Sequence, residues 1–241
     1  MKTILSTLCA LALSATGVLA ADLPVRTAPA HYAPVAPPLF AGFYAGLNFG
    51  GGWQRNQIDD IPPCGRPCTI SFDANGNGML AGAHAGANWQ MGPWVFGLET
   101  DFDLTNIHHK TEVPLSEPDT VASRIVWEGS LRARMGYAID RVLVYVTGGL
   151  AYANIKHTYD LYSASAPHTL VATESLSRVR PGWTLGGGVE YAFAPAWSAR
   201  LEYRYSDFGR YSDSPSIYAL SYTERHREAT HGARFGVSYR F

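Results

Sequence analysis

Acidic and basic side chains recur at every second position in several short runs of this chain, and an extended backbone puts such positions on one side. Glu99, Asp101 and Asp103 share a face with Gly97, while Trp94, Phe96, Leu98 and Phe102 take the other. Glu128, Ser130, Arg132, Arg134 and Gly136 oppose Trp127, Leu131, Ala133, Met135 and Tyr137. Glu190 stands with Thr184, Gly186 and Gly188 against Trp183, Leu185, Val189 and Tyr191, and Arg200, Glu202 and Arg204 stand against Leu201, Tyr203 and Tyr205. The chemistry of such faces is mutual neutralisation. Adjacent strands are expected to set Glu99 and Asp101 beside Arg132 and Arg134, Glu190 beside Arg200 or Arg204, and Glu202 beside Arg234.

Other reactive groups are sparser. Cys64 and Cys68, four apart in a Pro- and Gly-rich segment, read as a small disulfide of an oxidising compartment. The rival, a structural metal site, needs two more ligands, and Asp59 and Asp60 suit soft thiolates poorly. Asp73-Ala74-Asn75-Gly76-Asn77-Gly78 matches the first half of a calcium-binding loop, but His84 stands where a bidentate Glu is required, so a plain turn into a strand is expected. His84 falls on a polar strand face, where it is expected to hydrogen-bond. His108, His109, His157, His168 and His226 fall between the strands and read as solvated, with a gathered metal or haem as the minority reading. Asp207, Ser212, Asp213, His226 and His231 crowd one end of the last hairpin, yet no spacing singles out a nucleophile and its base, so no catalytic residue is assigned. No metal or cofactor is expected.

These residues need strands to position them. Eight are read: 40–53, 78–90, 94–104, 123–138, 141–154, 178–193, 197–207 and 230–241. The tight turns 91–93, 139–140 and 194–196 alternate with four long polar stretches at 54–77, 105–122, 155–177 and 208–229. Strict alternation of short and long connections is the asymmetry of a transmembrane barrel, with short turns in the periplasm and long loops outside. The last strand is the clearest, since Ala233, Phe235, Val237, Tyr239 and Phe241 alternate with Arg234, Gly236, Ser238 and Arg240. Trp53, Trp89, Trp94, Trp127, Trp183, Trp197 and Tyr239 lie mostly near strand ends, as interfacial girdles do.

Export is consistent with this. A basic start, an apolar stretch over 4–19 and small residues before Ala21 read as a signal peptide, 1–20, which also carries Cys9. Residues 21–39, with five prolines, read as an extended periplasmic tether, and 40–241 as the barrel. No later run has the roughly 18 apolar residues of a spanning helix, so a membrane location requires a closed barrel. Eight strands leave room for little beyond side chains, so the lumen charges are expected to plug it. A soluble up-and-down barrel is the alternative fold, with its apolar face inward and its charges solvated outside. A net charge of −1 argues against nucleic acid as a partner.

Gly42-Phe43-Tyr44-Ala45-Gly46-Leu47-Asn48, Asn88-Trp89-Gln90, Arg132-Ala133-Arg134-Met135-Gly136-Tyr137, Tyr145-Val146-Thr147-Gly148-Gly149-Leu150-Ala151, Glu202-Tyr203-Arg204-Tyr205 and Ser238-Tyr239-Arg240-Phe241 together resemble the small outer-membrane β-barrel porin family of alphaproteobacteria, related to the OmpA-like transmembrane domain. The resemblance implies an all-β, eight-stranded antiparallel barrel in the outer membrane of a Gram-negative cell. It also implies a role in envelope integrity and surface interaction, with pore formation or haem binding in some members. Expected partners are outer-membrane lipid, lipopolysaccharide and the barrel assembly machinery, for which Tyr239 and Phe241 resemble the signal; a monomer is expected. The chain departs from the family in its Cys-bearing first loop and at Ala87, where Tyr is frequent.

Overall fold

The computed structural model describes residues 38–61, 70–73, 75–112, 119–163, 168–213 and 223–241. The expected signal peptide, most of the expected tether, and Cys64 and Cys68 lie outside the described residues. Ten strands form among them: β1 Gly42–Ile61, β2 Ile70–Asp73, β3 Gly76–Met91, β4 Trp94–Thr105, β5 His108–Glu112, β6 Thr120–Ile139, β7 Val142–Tyr162, β8 Leu170–Ala194, β9 Trp197–Asp213 and β10 Thr223–Arg240. Eight make a closed antiparallel ring in the order β1-β3-β4-β6-β7-β8-β9-β10, with β10 returning to β1. The two short strands are additions. β2 folds back on the far end of β1, and β5 carries the line of β4 onward between β3 and β6.

Closure has a physical reason. Each strand alternates one apolar and one polar face, and closing the sheet separates the faces into an outside and an inside while leaving no unpaired edge. Phe43, Leu47, Phe49, Leu98, Leu131, Leu150, Leu185, Leu201 and Phe235 all point outward and are more than half exposed, or half in the case of Phe235. The charged and polar partners are buried inside. This arrangement excludes the soluble-barrel alternative, because water on such an exterior and charges in such an interior are both unfavourable; lipid outside resolves the first and pairing inside the second.

Two of the three tight turns are built by residues that tolerate a left-handed backbone: Gly92 has φ 60° and Asp140 φ 50°. At the other end the strands run well past the expected limits. The described parts of the segments read as loops at 54–77, 105–122, 155–177 and 208–229 are largely extended ladder, since β1 reaches Ile61, β7 reaches Tyr162, β8 begins at Leu170 and β9 reaches Asp213. The alternation persists there, but both faces are polar or mixed: Arg225 and Arg227 point out while His226 and Glu228 point in. A hydrophobic period therefore gives no signal, and backbone pairing with the neighbouring strand keeps the ladder going. β8, at 25 residues, is more than twice the 9–11 that cross a bilayer.

Two aromatic rows bracket the apolar band. Trp89, Trp94, Tyr137, Trp197 and Tyr239 lie at the short-turn end, and Trp53, Trp127 and Trp183 at the other. On β6 ten residues separate Tyr137 from Trp127; at about 3.4 Å rise and a tilt of about 40° this is roughly 26 Å along the barrel axis, close to the 25 Å band of outer-membrane barrels. Leu131 sits between the rows. Leu131→Arg is expected to lower the free energy of folding into vesicles by about 2–4 kcal/mol, read from urea titrations, whereas an unchanged midpoint would mean that this surface does not meet lipid.

Candidate functional site

The lumen is layered. At the short-turn end Phe40, from the segment preceding β1, packs with Val95, Leu143, Tyr145 and Ala192 and stoppers the ring. Its backbone N–H donates to Gln90 Oε1 at 3.1 Å. Above it lie the charges that alternate along β4, β6, β8, β9 and β10. Arg132 is central: Nη2 is 2.5 Å from Glu99 and 3.1 Å from Asp101, and Nη1 is 2.7 Å from Glu202 and donates to Thr147 at 2.9 Å. Arg200 also pairs with Glu99, which accepts in addition from the Tyr44 hydroxyl at 2.7 Å. Arg204 meets Asp101 at 2.9 Å and Glu202 at 3.5 Å, Arg234 meets Asp103 at 3.2 Å and pairs with Glu128, and Arg134 pairs with Glu190 while stacking over the Tyr145 ring. Ser198 donates to Glu190 at 2.7 Å and Ser130 to Asp101 at 2.5 Å. His84 Nε2 is hydrogen-bonded to Ser238 Oγ at 2.7 Å.

The expected set of charges thus faces one lumen, and Arg132 meets Glu99 and Asp101 as expected, but Arg134, Glu190 and Glu202 take partners other than those read along neighbouring strands. Glu190 lies directly opposite Arg200 in the β8–β9 ladder, yet its partner is Arg134, two strands away. Glu202 lies opposite Arg234 in the β9–β10 ladder, yet it binds Arg132 and Arg204. An arginine that points into a narrow ring carries its guanidinium past its register neighbour to acids on the far wall, so the ring is tied across its diameter. Glycines make room for this: a Cβ at Gly236 would lie 2.9 Å from Arg200 Nε.

Above the charges a second apolar layer, Ile107, Ile125, Ala151, Ala153, Ile155 and Phe208, closes over them. Beyond it, outside the membrane band, is a cluster that the sequence did not reveal. The His157 and His226 rings stack with centroids 4.5 Å apart, His157 Nε2 is 2.9 Å from the Tyr211 hydroxyl, Tyr211 donates to Glu228, and Gln54 donates to both Glu228 and Ser123. The two histidines are therefore inside the barrel and buried rather than solvated, because the strands continue through the segments read as loops. The signal that could have found them is their inward parity with Ala153 and Thr230. His108 and His168 are exposed and bonded to backbone carbonyls. Among the described residues no group of three or more His, Cys, Asp or Glu is placed to hold a metal, and the half-calcium loop is partly strand, since β3 starts at Gly76.

The remaining candidates disperse. His231 faces outward, 2.7 Å from the Tyr203 hydroxyl, and Asp207 accepts from Tyr205 and from the Gly209 amide. Ser212 is exposed while His226 points inward, and the Asp213 side chain is outside the described set. Tyr239 packs edge-on against Trp197 with centroids 5.0 Å apart. Phe241 is 79% exposed, with its amide donating to Phe43 at 3.0 Å.

An apolar exterior with two aromatic rows around a ring filled by paired charges defines a transmembrane β-barrel. The chain belongs to the outer membrane protein beta-barrel domain family, whose model matches residues 7–241. It is 34% identical to the 31 kDa outer-membrane immunogenic protein of Brucella melitensis, over 95% of this chain and 96% of that one. To the 25 kDa outer-membrane immunogenic protein of Brucella abortus it is 30% identical, over 91% and 87%. The fold is also that of the outer membrane protein OprG from Pseudomonas aeruginosa, with a TM-score of 0.52, 12% identity and coverage of 83% and 97%. The protein resides in the outer membrane of a Gram-negative cell.

Arg132→Met leaves Glu99, Asp101 and Glu202 short of a shared counter-charge, and is expected to destabilise the refolded barrel by about 3–5 kcal/mol in urea titration; an unchanged midpoint would mean the network does not hold the ring. In the outer cluster, burial, aided by His226 and Arg180, holds His157 well below its usual 6.5. The unfolded chain then binds more protons at this position below pH 6.5, so its contribution to stability is complete above that pH and is lost as pH falls through it. Burial raises Glu228, a contribution of opposite sign centred nearer the carboxylate range. Between pH 7.5 and 5.5 the amide protection factors in the outer halves of β7, β9 and β10, with the pH dependence of intrinsic exchange divided out, are expected to fall in the wild type and much less in His157→Gln.

Proposed function

We propose that this protein is a plugged barrel with a structural, envelope-supporting role and an outward surface for interaction, acting as a monomer and without catalysis. The observation that carries this reading is Arg132, which reaches carboxylates on both β4 and β9 and so bars the lumen across its width. Phe40 below and the Ile107–Phe208 layer above add two apolar barriers to the same path. A solute would have to break a buried charge network to pass, which is a strong barrier in a low-dielectric lumen. A ring closed by one chain leaves no edge that demands a second copy. The exposed Phe241 and outward Tyr239 offer an apolar surface for assembly factors. The extended outer strands supply the surface, and the name immunogenic for two relatives agrees with an accessible exterior.

The rival is a narrow pore. In a planar bilayer the purified full chain is expected to be silent at moderate voltage, and Arg132→Ala/Arg134→Ala to show leak currents. Reproducible unitary steps from the wild type would overturn the plugged reading and make the same arginines selectivity elements.

A further inference from the structure

The outer wall carries a second set of basic residues, treated quite differently from those in the lumen. On the β5–β6–β7 face His108 lies directly opposite Arg124, and Arg124 directly opposite Lys156, in one row across three strands. All three point outward and are exposed. Like charges set side by side in a ladder destabilise it, so Arg124 and Lys156 call for a counter-ion from outside the chain, with the His108 imidazole beside them as a further hydrogen-bonding group. Neither Arg124 nor Lys156 has a carboxylate partner among the described residues. The row lines a cleft of about 540 Å³ shared with Lys110 and His109, and among the described residues no carboxylate lines it. Asp160 lies just beyond, 3.4 Å from Lys110 Nζ.

Depth identifies what the row meets. Trp127, which packs with Phe102 and Tyr152, marks the outer edge of the apolar band. Arg124 precedes it by three residues, one of them taken up by the bulge between Ile125 and Trp127, so the row stands two rungs, or roughly 5 Å, further along the barrel axis at the strand rise and tilt of such barrels, which is the depth of lipid headgroups in the leaflet on the long-connection side. Guanidinium and ammonium groups at that depth, on long side chains above an aromatic row, are matched to headgroup phosphate. The opposite face is not equivalent. Arg55, Arg210, Arg225 and Arg227 point outward there too, with Arg210 opposite Arg227, but carboxylates are interleaved with them: Asp59 lies opposite Arg225 and lines a cleft with Arg210 and Arg227, and Asp73 lines the next with Arg55.

We propose that the His108–Arg124–Lys156 row, with Lys110, is a binding site for the phosphate groups of lipopolysaccharide in the outer leaflet. Such a site depends on the outer-membrane location and not on the plugged lumen, so conductance and lipid binding fail independently.

The test uses the full chain in zwitterionic detergent, titrated with phosphorylated lipopolysaccharide, with the same lipid after phosphatase treatment, and with inorganic pyrophosphate, following tryptophan fluorescence and co-sedimentation. Arg124→Gln/Lys156→Gln is expected to raise the apparent Kd for the phosphorylated lipid at least tenfold, Lys156→Gln by a smaller factor, and Arg227→Gln hardly at all. Phosphatase treatment is expected to mimic the double variant. Because these side chains are exposed and make no internal pair, the variants should retain the wild-type urea midpoint in lipid-free detergent. Equal affinity of wild type and double variant, equal affinity for the treated lipid, or an equal loss in Arg227→Gln would overturn the site. Pyrophosphate binding as tightly as the lipid would assign the row to a free anion and overturn the headgroup.

Discussion

Charges that cannot face lipid must be neutralised in a space too narrow for water to do it, and the rest of the barrel is arranged around that constraint. Six carboxylates, Glu99, Asp101, Asp103, Glu128, Glu190 and Glu202, face Arg132, Arg134, Arg200, Arg204 and Arg234, with Arg240 at 3.8 Å from Glu190 at the lower rim. Removing one partner exposes the others to an uncompensated low-dielectric site, which makes the network all-or-none in character. The glycines of the polar faces belong to the same constraint, since at positions such as Gly236 a larger side chain would displace a guanidinium.

Because most of the pairs run across the ring rather than between neighbouring strands, the network also sets the barrel's shape. Arg132 on β6 ties β4 and β9, and Arg234 on β10 ties β4 and β6. A hydrogen-bonded ladder fixes only nearest neighbours and leaves the cross-section free to flatten. Ties between non-adjacent strands resist flattening, and the two apolar layers seal them at either end. The same ties cross the lumen from wall to wall.

Outside the bilayer the physics changes, and so does the use of charge. Beyond Trp127 and Trp183 the interior relies less on ion pairs than on the hydrogen-bonded cluster of His157, His226, Tyr211 and Glu228, in which burial keeps His157 neutral. The exterior at this level carries the exposed cations Arg124 and Lys156. One fold therefore handles buried polarity with ion pairs in its lower half and with hydrogen-bonded rings in its upper half, each matched to the medium around it.

A period of two is a local property of the chain, and lipid tolerates only one side of it, so the ring of eight strands, the tight turns and the inward set of charges were legible in the residues alone. Gly97, Glu99, Asp101 and Asp103 could be placed on one face from spacing. The choice of partners could not be read this way. Glu190 goes to Arg134 and Glu202 to Arg132, because a guanidinium several bonds from its backbone pairs across the closed ring with residues distant in sequence. The strands also continue through segments whose two faces are both polar, which brings His157 and His226 together in the interior. There the ladder is held by backbone pairing between strands, an interaction that exists only in the folded ring and leaves no hydrophobic pattern in the chain.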